Sequence, residues 1–479
     1  MKRIYMFALA AAMLSSVQAQ DVILSLADGT KEVKVTLPAG SYIINDAPYV
    51  SDGSELTIET KGLPTMSFAM ADETQNIASF VAVNQEGIVG VDTKKGKGLV
   101  TLDLHGNAIS DVDALTFDNQ KPALKNLYLS DNAITTINFT GSRWNGLEVL
   151  DLSNNGIKAL TTTYLIGLKQ LLCSDNELGA LTLTKCTGLT TLWCDNNNIK
   201  TLDLSSCPKM ESLVADNNAI TKFTAPSAGL ADISDLWLSN NGLSTLSIAA
   251  NENLYTLNLA NNNLASVNLS ATSSKMLFAD FTGNQLTFSD LYSPNTITNY
   301  LYGDQQKFSF AKEVYVHGDT LVMPEVGSTN LSGTKISISN KWYNWETDEA
   351  LKSGTKTGTT GDYYAANPAG KKGYVFKPTF KGNVYATMSC SSMPDLIMRS
   401  HGVRIISEEE ALGVETMKAS GFTFNVLPGA LQMSSRDEVG VKVVDMSGRV
   451  VWEGVVDWHG VQVDGLSGAY VVNGVKVAI

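Results

Sequence analysis

The chain has 479 residues, 44% of them hydrophobic and 17% charged, with 39 Gly, 12 Pro and a formal net charge of −13. That length exceeds one compact core, which stops growing at about 250 to 300 residues, so several units are expected, β-leaning and rich in turns. The balance excludes both a disordered chain and a Lys/Glu-rich helical one, and the acidic charge argues against binding the polyanionic backbone of nucleic acid.

Residues 1–19, MKRIYMFALAAAMLSSVQA, join two basic residues to an apolar run from Ile4 to Leu14, with Val17 and Ala19 as the small residues before a cleavage point. This reads as a secretory signal peptide, since a membrane span needs about 20 apolar residues. No later segment reaches spanning length, so no transmembrane segment is expected in the mature chain. Residues 20–98 contain KEVKVTL and SELTIET, whose alternation predicts strands in a β-rich N-terminal cap.

Asparagine is concentrated further along: 24 of 36 fall between residues 99 and 290. The cause is a repeat. LVTLDLHGNAI begins at Leu99, LKNLYLSDNAI at Leu124, LEVLDLSNNGI at Leu147, LKQLLCSDNEL at Leu168, LTTLWCDNNNI at Leu189 and MESLVADNNAI at Met210. ISDLWLSNNGL at Ile233, LYTLNLANNNL at Leu254 and a degraded MLFADFTGNQL at Met276 complete the series. Nine copies of LxxLxLxxNxL at spacings of 21 to 25 residues predict a solenoid over 99–295. Apolar residues at the first, fourth, sixth and eleventh positions fill its core, and each asparagine amide satisfies backbone groups where the chain leaves the strand. Periods near 21 leave little room for helices, so extended or short 3₁₀ backs are expected.

Side chains flanking the fourth position should face outward. One such column is Asp103, Tyr128, Asp151, Leu172, Trp193, Val214, Trp237, Asn258 and Asp280, and beside it run His105, Ser130, Ser153, Ser174, Asp195, Asp216, Ser239, Ala260 and Thr282. Exposed aromatic and apolar groups rimmed by polar ones mark a binding patch. The candidate ligand-binding residues on this concave face are therefore Tyr128, Asp151, Leu172, Trp193, Asp195, Val214, Asp216, Trp237 and Asn258. Stacking between neighbouring rungs is the alternative role for the aromatics.

Cys173 and Cys194 are 21 residues apart, as are Cys186 and Cys207, so each pair should stack in adjacent turns, as buried thiols or as a rung-to-rung disulfide. Cys390 has no evident partner. No zinc-type spacing accompanies these cysteines, the four histidines are scattered, and no HExxH, GxSxG or Walker motif is present. No cofactor, no metal and no enzyme activity are expected.

The repeats resemble those of internalin-type bacterial leucine-rich repeat proteins, over residues 99–290. The resemblance implies a surface protein that recognises a protein or glycan on another cell surface. It names no receptor, and the β-rich character of 20–98 departs from the helical cap of the internalins.

Beyond the solenoid, EVYVHGDTLVM, KISISNKWYNW, GYVFKPTF, NVYATMSC and DLIMRSHGVRI predict an immunoglobulin-like β-sandwich over 296–406. In it, Trp342 and Trp345 read as core or strand-face residues. The charged, non-periodic segment 407–419 reads as a linker. Within 420–479, VKVVDMSGRVV is a hairpin with Gly448 at its turn. This segment resembles the C-terminal sorting domain of type IX secretion cargo, a small β-sandwich, through Asp445, Gly448, Arg449, Gly468 and Tyr470. The resemblance implies the type IX secretion machinery as a partner, export across the outer membrane, and a cell-surface or extracellular destination. The expected fold class is mainly β, and the expected function is adhesin-like attachment to host cells or within a community. Carbohydrate capture for nutrition is the alternative.

Overall fold

The structure, a computed structural model, describes residues 22–478 except 71–76, 94–97, 111–114, 118–123, 228, 249–252, 270–274, 295–296, 408–421, 428–429, 436–438, 446–448, 457–460, 467–468 and 473–474. The expected signal peptide, nearly all of the expected linker, Gly448 and Gly468 lie outside the described residues. The protein is mainly β, and its described residues contain no α-helix. It divides into two compact units, residues 1–306 with 327–337 and 391–396, and residues 307–326 with 338–390 and 397–479.

The first unit contains the solenoid. Each repeat contributes a three-residue strand whose middle leucine, or its equivalent, is buried: Leu102, Leu127, Leu150, Leu171, Leu192, Leu213, Leu236, Leu257 and Ala279. These strands pair in parallel and in register. Two further parallel strands continue the sheet, Ser79–Val81 before the first and Asn299–Leu301 after the last. Neither shows the motif, because Phe80 and Tyr300 replace its central leucine and Gln305 replaces its asparagine. Antiparallel strands Glu32–Thr36 and Glu55–Glu59 extend the same sheet at its first end.

The asparagine amide is the hub of each turn. Asn197 Nδ2 donates to the carbonyls of Cys173, Cys194 and Asp195 at 3.0 to 3.1 Å, while its Oδ1 accepts from the Leu178 N–H at 2.9 Å. The same set recurs at Asn132, Asn155, Asn176, Asn218, Asn241, Asn262 and Asn284, each bridging two turns. Gln305 repeats it one turn further, donating to Phe281 and Tyr302 and accepting from Leu286 N–H.

The residue just before each asparagine explains the recurring DN and NN doublets. It has positive φ in turn after turn: Asp131, Asn154, Asp175, Asn196, Asn217, Asn240 and Asn261 lie between 52° and 54°. Gly106 and Gly283, both at 69°, occupy the same place in the first and last motif copies. Asn, Asp and Gly are the residues that tolerate this left-handed conformation, through small size or local hydrogen bonding. The exposed amides then link along the stack, with Asn217 donating to Asn196, Asn240 to Asn217 and Asn261 to Asn240 at 2.8 to 2.9 Å.

The backs are extended, and their strands pair two by two: Ala159–Thr161 with Ala180–Thr182, Thr201–Asp203 with Lys222–Thr224, and Thr245–Ser247 with Ser266–Asn268. Between the first two pairs lies a cleft of about 460 Å³ lined by Leu181, Leu183, Lys200 and Asp203. All five cysteines are buried, and Cys173, Cys186, Cys194 and Cys207 are free thiols. Burial raises the pKa of Cys173, Cys186, Cys194 and Cys207, the last to about 12, which keeps the thiols protonated and unreactive.

In the second unit, Val314–Val316, Val403–Ile406, Gly382–Cys390 and Ile338–Asn344 form one sheet, and Leu321–Val322, Gly373–Phe376, Tyr363–Ala365 and Ser353–Gly354 another. Trp342 is fully buried among Phe310, Tyr363, Tyr374 and Phe376. Trp345, just past the strand's end, is 40% exposed and lies beneath the cations of Lys307 and Arg399. The last residues form a three-stranded and a four-stranded sheet around Leu431, Met433, Val441, Val443, Val456, Val463, Leu466 and Val472.

Candidate binding face of the solenoid

Parallel register carries one column of side chains along the outer face of the long sheet. Tyr128 stands opposite Asp103 and Asp151, and Asp151 opposite Leu172. Leu172 then meets Trp193, Trp193 meets Val214, Val214 meets Trp237 and Trp237 meets Asn258. Adjacent strands lie about 4.8 Å apart, so these groups form a continuous row. Trp193 is 45% exposed, while the other six column members of the predicted set are half-buried.

The two tryptophans differ. Trp193 leans toward the next turn, where its Nε1 donates to Ser212 Oγ at 3.5 Å. Trp237 donates to Thr256 Oγ1 at 3.2 Å and stacks on Phe278, with centroids 5.8 Å apart and planes 9° from parallel. Such stacking stabilises the sheet, so Trp237 fills the stacking role that the sequence offered as the alternative. Trp193 has no ring neighbour among the described residues and keeps more of its surface free.

One outward expectation is corrected. In the second column Ser130, Ser174, Ser239 and Ala260 are buried, whereas Asp195 and Asp216 remain partly exposed. The strand has ended two residues earlier and the chain is already bending toward the left-handed residue, so short side chains here serve the turn. Ser174 donates its hydroxyl to Asp195, and Ser239 donates its N–H to Asp216 at 2.5 Å.

Other exposed groups were missed because they lie at the second motif position or in the turn that lacks the motif. Tyr255 is 48% exposed, Leu277 41% and Leu301 49%. The first two stand just before the strand, beyond the reach of alternation about the central leucine. Thr191, Ser212, Asp235, Thr256 and Phe278, at the third position, fill the sheet face on the other side of that leucine.

The face is acidic. Its third, fifth and seventh motif positions hold Asp103, Asp151, Asp195, Asp216, Asp235 and Asp280 and no Lys or Arg. Burial, reinforced by the Asp195 charge, raises the Asp216 carboxyl above its ordinary pKa. Two lysines stand at the second position, Lys125 and Lys169, and both pair with Glu148 between them. Their hydrogen bonds hold the half-buried Glu148 carboxyl down at about 2. At the first turn, His105 Nδ1 lies 2.7 Å from Asp103 Oδ1.

The residues expected to carry a sorting signal are placed only in part. Asp445 and Tyr470 are register partners on the antiparallel strands Val439–Asp445 and Ala469–Val472, and Arg449 is exposed.

Comparison with protein families matches the description Leucine rich repeat to residues 97–157 and Leucine Rich repeats (2 copies) to residues 187–228. The solenoid is built of leucine-rich repeats. No curated protein sequence matches the chain. Among solved structures, the functional domain of InlJ from Listeria monocytogenes, described as including a cysteine ladder, is 16% identical at a TM-score of 0.39, covering 66% of this chain and 69% of that one. YopM from Yersinia enterocolitica is 24% identical at 0.37, covering 44% of each chain. A leucine-rich repeat protein of Leptospira interrogans is 22% identical at 0.34, covering 41% of this chain and 58% of that one. The chain thus spans less than two thirds of the latter two. Leucine-rich repeat solenoids present extended surfaces suited to protein partners. Among the described residues, no helix is long and apolar enough to cross a membrane.

Proposed function

We propose that this is a secreted, cell-surface protein whose leucine-rich repeat face binds a macromolecular partner in adhesin-like attachment. The carrying observation is Trp193, a large ring 45% exposed in the middle of a rigid, in-register sheet. Burying such a ring against a partner yields much of the energy of a binding hot spot. Tyr128, Leu172, Val214 and Trp237 extend the contact along the column, with Asp151, Asp195, Asp216 and Asn258 as its polar rim. A protein carrying both Trp193→Ala and Trp237→Ala should lose partner capture in a pulldown while its circular dichroism is unchanged. Undiminished capture would refute the assignment of this face; a glycan captured in its place would favour the nutritional reading.

Residues 1–19 are proposed to direct export, 296–406 to form an immunoglobulin-like module, and 420–479 to serve as the type IX sorting signal. Deleting 420–479 should leave the protein inside the outer membrane. Normal surface display of the truncated chain would contradict this role.

A further inference from the structure

We propose that the partner surface seated on this sheet face is a basic segment of a polypeptide, whose Lys or Arg side chains straddle Trp193 and reach Asp195 and Asp216. This rests on the proposed function and specifies the chemistry of its partner. The first observation is the outward apolar row: Leu172, Trp193, Val214 and Trp237 are consecutive rungs, and Trp193 is the most exposed of them. A bare ring face in that setting suits a guanidinium or ammonium group, which it attracts through its quadrupole.

The second observation is charge complementarity. Asp195 and Asp216 sit at the same place on neighbouring turns beside the row, where their like charges repel. Their polar neighbours are neutral donors: the Ser174 hydroxyl and the Asn196 amide for Asp195, and the Ser239 N–H for Asp216. Of the lysines at the second motif position, Lys125 and Lys169 are held by Glu148. Asp151 and Asp235 carry the negative field toward either end of the row. A cation from outside would relieve the Asp195–Asp216 repulsion and meet the indole at once. A second copy of this chain fits poorly, because it would bring the same acidic face and a net charge of −13.

The test uses the whole secreted chain and a short synthetic peptide alternating arginine with leucine, followed by tryptophan fluorescence. Two peptides of equal length serve as controls, one with citrulline and one with glutamate in place of arginine. The arginine peptide should bind about tenfold or more tightly than the citrulline peptide and weaken as salt is raised. Asp195→Asn with Asp216→Asn should cost it about tenfold without lowering the thermal midpoint, because removing the repulsion does not harm the fold. Asp203→Asn with Glu177→Gln, which removes equal charge away from the face, should leave the affinity unchanged. Equal binding of the citrulline peptide, lost in Trp193→Ala, would overturn the cationic partner while leaving the binding face intact. No arginine-peptide binding, or binding that survives both the Asp and the Trp substitutions, would also overturn it. The proposed function itself fails only if capture of the natural partner is indifferent to the two tryptophans.

Discussion

Replacing Asn197 by alanine should lower the unfolding free energy by about 3 kcal/mol, read from urea denaturation. The carbonyls that Asn197 serves keep other donors: Asn176 still reaches Cys173, Asn218 still reaches Cys194, and the Asp175 N–H still reaches Asp195. The Leu178 N–H, by contrast, gives its bond to Asn197 Oδ1. An orphaned buried donor costs about 1 to 3 kcal/mol, and the void left by the amide adds to it. Asn197→Asp separates the two halves of the amide. It keeps an acceptor for Leu178 but sets a carboxylate oxygen against three carbonyls at a site only 8% exposed. At neutral pH it should be at least as damaging as alanine, and it should recover in part on acidification, when the protonated carboxyl can donate again. An alanine variant within about 0.5 kcal/mol of the parent would contradict the ladder's energetic role.

Trp342→Ala should be comparably severe or worse, costing about 3 to 5 kcal/mol. The indole is fully buried, stacked on Phe310 at 5.4 Å and edge-on to Phe376 at 5.0 Å. Its Nε1 has no hydrogen-bond partner among the described residues. Trp342→Phe therefore forfeits ring volume but no hydrogen bond, and should lose well under half as much. If phenylalanine were as damaging as alanine, the packing account of this core would be wrong. Thermal unfolding of the two variants side by side makes the comparison.

How far the sequence could be read follows from which interactions repeat. Leucine at the fourth position and asparagine at the ninth recur because every turn makes the same contacts, so nine turns were legible. The flanking parallel strands were hidden because Phe80, Tyr300 and Gln305 perform the same tasks with different side chains. Column membership was also legible, since a period of two fixes which side chains share a sheet face. Depth was not. Burial of Ser174 and exposure of Asp195 at the same motif position depend on the bend after the strand and on side-chain size. Likewise, the stacking of Trp237 on Phe278 joins residues 41 positions apart through a diagonal across the sheet, which no local pattern announces.

The asparagine ladder also bears on why the solenoid has ends. Each turn offers the same rim of donors and acceptors that it receives, so it behaves as a monomer with one kind of sticky edge, and whole turns could be gained or lost by gene duplication without redesigning any joint. A self-complementary unit of this sort needs chain terminators. At the first turn Gln85 exchanges two hydrogen bonds with the backbone of Lys34, on an antiparallel strand that cannot propagate the series. At the other, Gln305 closes the last amide ring and Gln306 folds back to the carbonyls of Asn262 and Gly283. Length is thus set at the boundaries, while every internal joint is indifferent to its place in the stack.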